Sequence, residues 1–87
     1  MSTLNKVILT PEQIHQVVWS LVAENTGKAI EELTPKSRLL QDLGADSLDI
    51  AELAMELEEK LGIRLPEELL DNPELTLGEL ERALNSL

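Results

Sequence analysis

Apolar side chains return at helical intervals in three stretches of this chain. Ile14, Val17, Val18 and Leu21 form the first stripe. Thr10 stands ahead of it as an N-cap, Pro11 suits the first helical position, and Gln13 falls where a capping box returns its hydrogen bond. Gly27 suits the left-handed conformation that ends a helix. Ile50, Leu53, Ala54, Leu57 and Leu61 form the second stripe, predicting a helix from about Ser47 to Leu61 with Gly62 as its stop. Asp46 can cap that helix, and Asp49 lies in its first turn, where negative charge favours the dipole. Leu77, Leu80, Ala83, Leu84 and Leu87 form the third stripe, opened by Thr76 and Glu79 in a second capping-box pattern. Between the last two, "IRLPEELLDNPE" predicts a short helix that starts near Pro66 and halts before Pro73.

Residues 28–45 hold no sustained period, and Pro35 and Gly44 interrupt them. So long a loop in so short a chain is either functional or packed by its own side chains. Ile30, Leu33, Leu39, Leu40 and Leu43 predict the second, pinning the loop across the core with short helical turns within it. No segment alternates with period two. The fold class that follows is all-α: a small four-helix bundle of three main helices and a short third one.

The second predicted helix leaves an unusual outer face. With Leu48 set at zero degrees and 100 degrees per residue, the apolar stripe gathers on the opposite side, and Leu48, Ala51 and Met55 point outward. Glu52, Glu58 and Glu59 lie among them, with Asp49 and Glu56 on the flank. Glu52 and Glu56 form a like-charge i,i+4 pair that costs a few tenths of a kcal/mol. That cost points to recognition by a basic partner, with Leu48 and Met55 as adaptable apolar contacts. A solvated acidic face with isolated hydrophobes gives the same pattern.

Composition narrows the partners. Among 87 residues, seven Lys plus Arg stand against 17 Asp plus Glu, a net charge of -10, which repels nucleic acid and anionic membranes. There is no cysteine, so a disulfide, a thiolate nucleophile and a thiolate zinc site are all excluded. The apolar run Val7 to Leu9 is too short for a signal-peptide core, and no run approaches the length of a membrane span. A monomeric, cytoplasmic protein is the expectation, with residues 1–9 as an N-terminal extension.

The candidate chemistry lies in "DLGADSLDIAE" at residues 42–52. Asp46 already fills the capping role, which leaves the Ser47 hydroxyl partly free. A nucleophilic serine needs a base and a group to orient it. His15, the only histidine, belongs to the polar flank of the first helix, and no G-x-S-x-G elbow is present. Asp42, Gly44 and Asp46 lack the order of an EF-hand calcium loop, and no metal site is expected. Attachment is the remaining role: a phosphate ester on Ser47 would sit at a helix N-terminus, which favours anions.

"DLGADSLD" followed by "ELAMELEEKLGIRLPEE" resembles the acyl carrier proteins, and the similarity runs from Thr10 to Leu84. The resemblance implies an acyl carrier domain over 10–87, free-standing and not itself an enzyme. It implies 4'-phosphopantetheine on Ser47, transferred from coenzyme A by a phosphopantetheinyl transferase and holding an acyl group as a thioester. It further implies docking of acyl-transferring and ketosynthase-type enzymes on Asp46, Leu48, Asp49, Glu52, Met55 and Glu59. Leu53 and Leu57, with residues of the third and fourth helices, are expected to line a cavity that shelters the chain. Aspartate before the serine is similar to fatty-acid and polyketide carriers, whereas Ile50-Ala51, Leu61-Gly62 and Trp19 depart from the housekeeping fatty-acid pattern and point to a specialised pathway. Trp19 is expected to cover the flank of the first helix, with a partner contact as the alternative. Two other functions stay open: a peptidyl or aminoacyl carrier, and an acidic helical adaptor in which Ser47 is only structural.

Overall fold

The computed structural model describes residues 10–86. The extension at 1–9 and Leu87 lie outside the described residues. Helix α1 spans Pro11–Thr26, α2 Ser47–Leu61, α3 Glu67–Leu70 and α4 Leu77–Asn85, with a 3-10 turn at Ile30–Glu32. No β-strand occurs among the described residues. The class is the all-α four-helix bundle expected.

Each long helix starts on a reciprocal capping box. At α1 the Gln13 N–H donates to Thr10 Oγ1 at 3.2 Å, and the Thr10 N–H donates to Gln13 Oε1 at 2.9 Å. At α2 the Asp49 N–H donates to Asp46 Oδ1 at 2.8 Å, and the Asp46 N–H to Asp49 Oδ2 at 3.1 Å. At α4 Thr76 and Glu79 exchange bonds of 3.1 and 3.0 Å. Each cap is worth about 1 kcal/mol, so three local patterns fix where three helices begin. Gly27 and Gly62 end α1 and α2 in the left-handed conformation, as expected.

The core gathers one face of each long helix. Val18, Leu21 and Val22 of α1 meet Ile50, Leu53, Ala54 and Leu57 of α2 and Leu77, Leu80 and Leu84 of α4. Ile14 and Val17 pack only partly buried, so the stripe of α1 is centred nearer Val22 than the sequence suggests. Leu39, Leu57, Leu77 and Leu80 are fully buried, each contributing about 2 kcal/mol of apolar burial. The short α3 buries none of its own residues.

The loop 28–45 is pinned as expected by Leu33, Leu39 and Leu43, and by Ala45 as well. Ile30 departs from the expectation: it remains 45% exposed, because the 3-10 turn carries it outward. A backbone clasp to the segment before α4 adds to the hold. The Leu39 N–H donates to the Leu75 carbonyl at 3.0 Å, Leu77 to Ser37 at 2.9 Å and Gly78 to Pro35 at 2.8 Å, around an isolated antiparallel bridge between Arg38 and Thr76. A Cβ on Gly78 would come within 2.9 Å of the Pro35 carbonyl oxygen, so only glycine permits this approach. The loop then turns back: Gly44 adopts φ +74°, and the Ala45 N–H donates to the Leu39 carbonyl at 2.9 Å. This return delivers Asp46 and Ser47 to the head of α2.

Candidate functional site

Ser47 is the first residue of α2 and is exposed. None of the hydrogen bonds among the described residues engages its hydroxyl. The Asp46–Asp49 box uses the Asp49 N–H and occupies one oxygen of each carboxylate. The N–H groups of Ser47 and Leu48, which precede it, have no acceptor within the helix. A phosphodiester on Ser47 therefore fits: it meets free first-turn donors and the positive end of the dipole. Pantetheine and an acyl group have room beside it, since Ser47 stands on the wall of an open groove of about 510 Å³.

Leu40, Ile50, Ala51, Leu70 and Pro73 give this groove apolar walls, while Glu67 and Asp71 add carboxylates. Its walls come from the loop, α2 and the α3 region. Leu53 and Leu57 are buried in the core and do not line this groove, and neither does any residue of α4. Leu40, expected only to pin the loop, and Leu70, for which the sequence suggested no role, both line the groove, although the Leu69-Leu70 doublet on so short a helix is a usable signal.

The outer face of α2 exposes Leu48 at 66% and Met55 at 64%, with Ala51, Glu52, Glu56 and Glu59 also exposed. Asp46 is exposed and Asp49 half-buried. Leu48, Glu52, Met55 and Glu59 make one crest, alternating apolar and acidic over about 16 Å of helix. Glu58 departs from the outer position expected for it. It is half-buried, and its Oε2 accepts the Leu65 N–H at 2.9 Å, because the turn at Gly62 folds the chain back against it. Glu56 accepts from the Asn25 amide of α1 at 3.0 Å.

Asp42, close before the serine, holds its carboxyl below the usual range. The Arg38 N–H donates to it at 2.8 Å, and the Arg38 guanidinium follows at 3.3 Å. The same guanidinium reaches Glu74 at 3.3 Å, tying the loop to the segment before α4.

The only histidine faces α4 and takes no part in the groove wall. Nδ1 of His15 lies 3.0 Å from Glu81, and its ring stands 4.5 Å from that of Trp19. Trp19 covers the flank of α1 as expected, and its indole N–H donates to Glu81 at 2.7 Å. That bond was not foreseen, although a half-buried indole calls for an acceptor.

A helical bundle that presents an exposed serine at the head of an acidic helix, beside an apolar groove, defines a small carrier domain. The family described as "Phosphopantetheine attachment site" matches residues 16–84. An acyl carrier protein of Rickettsia bellii strain RML369-C is 41% identical over 63 residues, 72% of this chain and 73% of that one. An acyl carrier protein of strain OSU 85-389 is 42% identical over 57 residues, 66% of this chain and 70% of that one. The chain belongs to the phosphopantetheine-attachment family, among the acyl carrier proteins. Domains of this family carry 4'-phosphopantetheine covalently and serve other enzymes as carriers.

Proposed function

We propose that Ser47 is the residue that carries the arm, and that residues 10–87 act as a carrier for fatty-acid or polyketide-type biosynthetic enzymes in the cytoplasm. One observation supports this above the others: the unengaged Ser47 hydroxyl at the mouth of α2, beside the apolar groove. When attached, the arm supplies the thiol that this cysteine-free chain lacks, on which acyl groups are held as thioesters. The chain's own part is positional. Asp46 and Asp49 lock the first turn, so Ser47 stays at the surface while its N–H and that of Leu48 face the phosphodiester. Leu40, Ile50, Ala51 and Leu70 offer apolar cover to the cargo.

Docking falls to Asp46, Leu48, Asp49, Glu52, Met55 and Glu59, with Leu48 and Met55 supplying apolar contact about 10 Å apart along the helix. Carboxylates around them steer a basic patch and set its register more than they add affinity. Phosphopantetheinyl transferase and ketosynthase-type enzymes are the partners in this reading.

The test is an intact mass after incubation with coenzyme A and a promiscuous phosphopantetheinyl transferase. The wild-type chain gains one phosphopantetheine, and Ser47→Ala gains none. No gain with a transferase active on a control carrier contradicts the proposal. Loading with acyl- against aminoacyl-adenylating partners then distinguishes an acyl carrier from a peptidyl one.

A further inference from the structure

The charge along α2 changes sign at its far end. Asp46, Asp49, Glu52, Glu56 and Glu59 are followed by Lys60, the cation of the last turn, and then by Arg64, two residues past the Gly62 cap. Both cations are exposed. Glu56 and Lys60 stand four apart with the acid N-terminal, the spacing and order that favour an ion pair. The pair does not form: Glu56 is turned to the Asn25 amide of α1 instead. Among the described residues the ion pairs are His15–Glu81, Arg38–Asp42 and Arg38–Glu74, so neither Lys60 nor Arg64 has an acidic partner. Lys60 lies instead along a shallow groove between α1 and α2, whose wall also holds Val17, Ser20, Leu21 and Glu24 of α1, although no ion pair closes between Lys60 and Glu24.

Attraction to the helix dipole accounts for one cation in the last turn. It does not account for Arg64, which lies outside the helix. Nor does it explain why, in a chain with ten more acids than bases, these two cations stand outside the ion pairs found among the described residues.

We propose that α2 presents a bipolar docking strip. The partner it fits is a protein with basic side chains opposite Asp46 to Glu59 and an acidic side chain opposite Lys60 and Arg64. By helix rise, that acid stands about 12 Å beyond the point that meets Glu52. A uniformly acidic helix attracts a basic patch in either direction and in several registers. A sign change at one end admits one direction and penalises the reverse, which places like charges together. The strip thereby selects among basic partners and orients them relative to Ser47. This inference rests on the reading of α2 as the docking face.

Two labelled helical peptides of equal length test it against the full chain by fluorescence anisotropy, at an ionic strength that screens net charge. One peptide carries lysines along a whole face; the other replaces the last lysine by glutamate at the 12 Å position. The wild-type chain binds the second roughly threefold more tightly, the size expected of an exposed ion pair. Lys60→Glu with Arg64→Glu reverses the preference, and Lys60→Gln with Arg64→Gln abolishes it, with the melting curve of each variant checking its fold. A wild-type chain that binds both peptides equally, or prefers the all-lysine one, overturns the bipolar strip and leaves the acidic docking face standing. Binding of neither peptide contradicts the docking face itself, and the strip with it.

Discussion

Glu81 concentrates several interactions on one side chain. Its carboxylate accepts the Trp19 indole N–H at 2.7 Å and lies 3.0 Å from His15, so two residues of α1 converge on one of α4. Glu81→Ala leaves the indole N–H without its acceptor. We expect a loss of about 1 kcal/mol, seen as a melting point lower by about 4–8 °C, together with a red shift of Trp19 emission as water reaches the indole. An unchanged melting point and spectrum would show that the contact contributes nothing. Glu81→Gln keeps an oxygen for the indole and should lose less. None of this was legible in the sequence, because 62 residues separate Trp19 from Glu81 and helical phase places a side chain on a face without naming what it meets. Glu58 illustrates the same gap: its phase points outward, and only the turn after Gly62 gives it the Leu65 N–H. Asp46, Ser47 and Asp49 were legible because their geometry is set within four residues of sequence.

At the scale of elements, what is local was readable and what is paired at a distance was not. The helix starts at Thr10, Asp46 and Thr76 each rest on a partner three residues on, and all three were placed from sequence. The clasp of loop 28–45 to residues 75–78 spans more than 35 residues and left only a trace, an apolar loop that had to pack somewhere. The groove wall assembles Leu40, Ile50 and Leu70 from three segments, so the serine could be found without its groove. Gly78 tests the clasp. Alanine is the better helix former by up to about 1 kcal/mol, yet its Cβ would meet the Pro35 oxygen at 2.9 Å, a backbone atom that already accepts the Gly78 N–H. Overpacking of this kind costs about 1–3 kcal/mol. Gly78→Ala should therefore lower the melting temperature, and a rise would show that the loop yields freely.

At the scale of the whole molecule, a net charge of -10 on 87 residues works against folding through self-repulsion. The like charges crowd along α2, which is also the face we propose for docking. Added salt shortens the range of that repulsion to about 8 Å at physiological ionic strength, so thermal stability should rise with sodium chloride and more steeply with divalent cations. A melting temperature indifferent to both would contradict this picture of the charge. The same acidity that limits the fold's stability suits the docking we propose, in which the carrier is drawn to basic partners quickly and released again. No helix among the described residues is long and apolar enough to cross a membrane.

The claim on which the rest depends is that Ser47 bears the arm, and the sequence offers a direct way to locate it. Cleavage after Arg38 and Lys60 releases residues 39–60, in which Ser47 is the only hydroxyl-bearing side chain. Peptide mass mapping of the chain after phosphopantetheinyl transfer should find the whole added mass on that fragment. Added mass on any other fragment, or none on 39–60 from a chain that has gained it, would contradict the account.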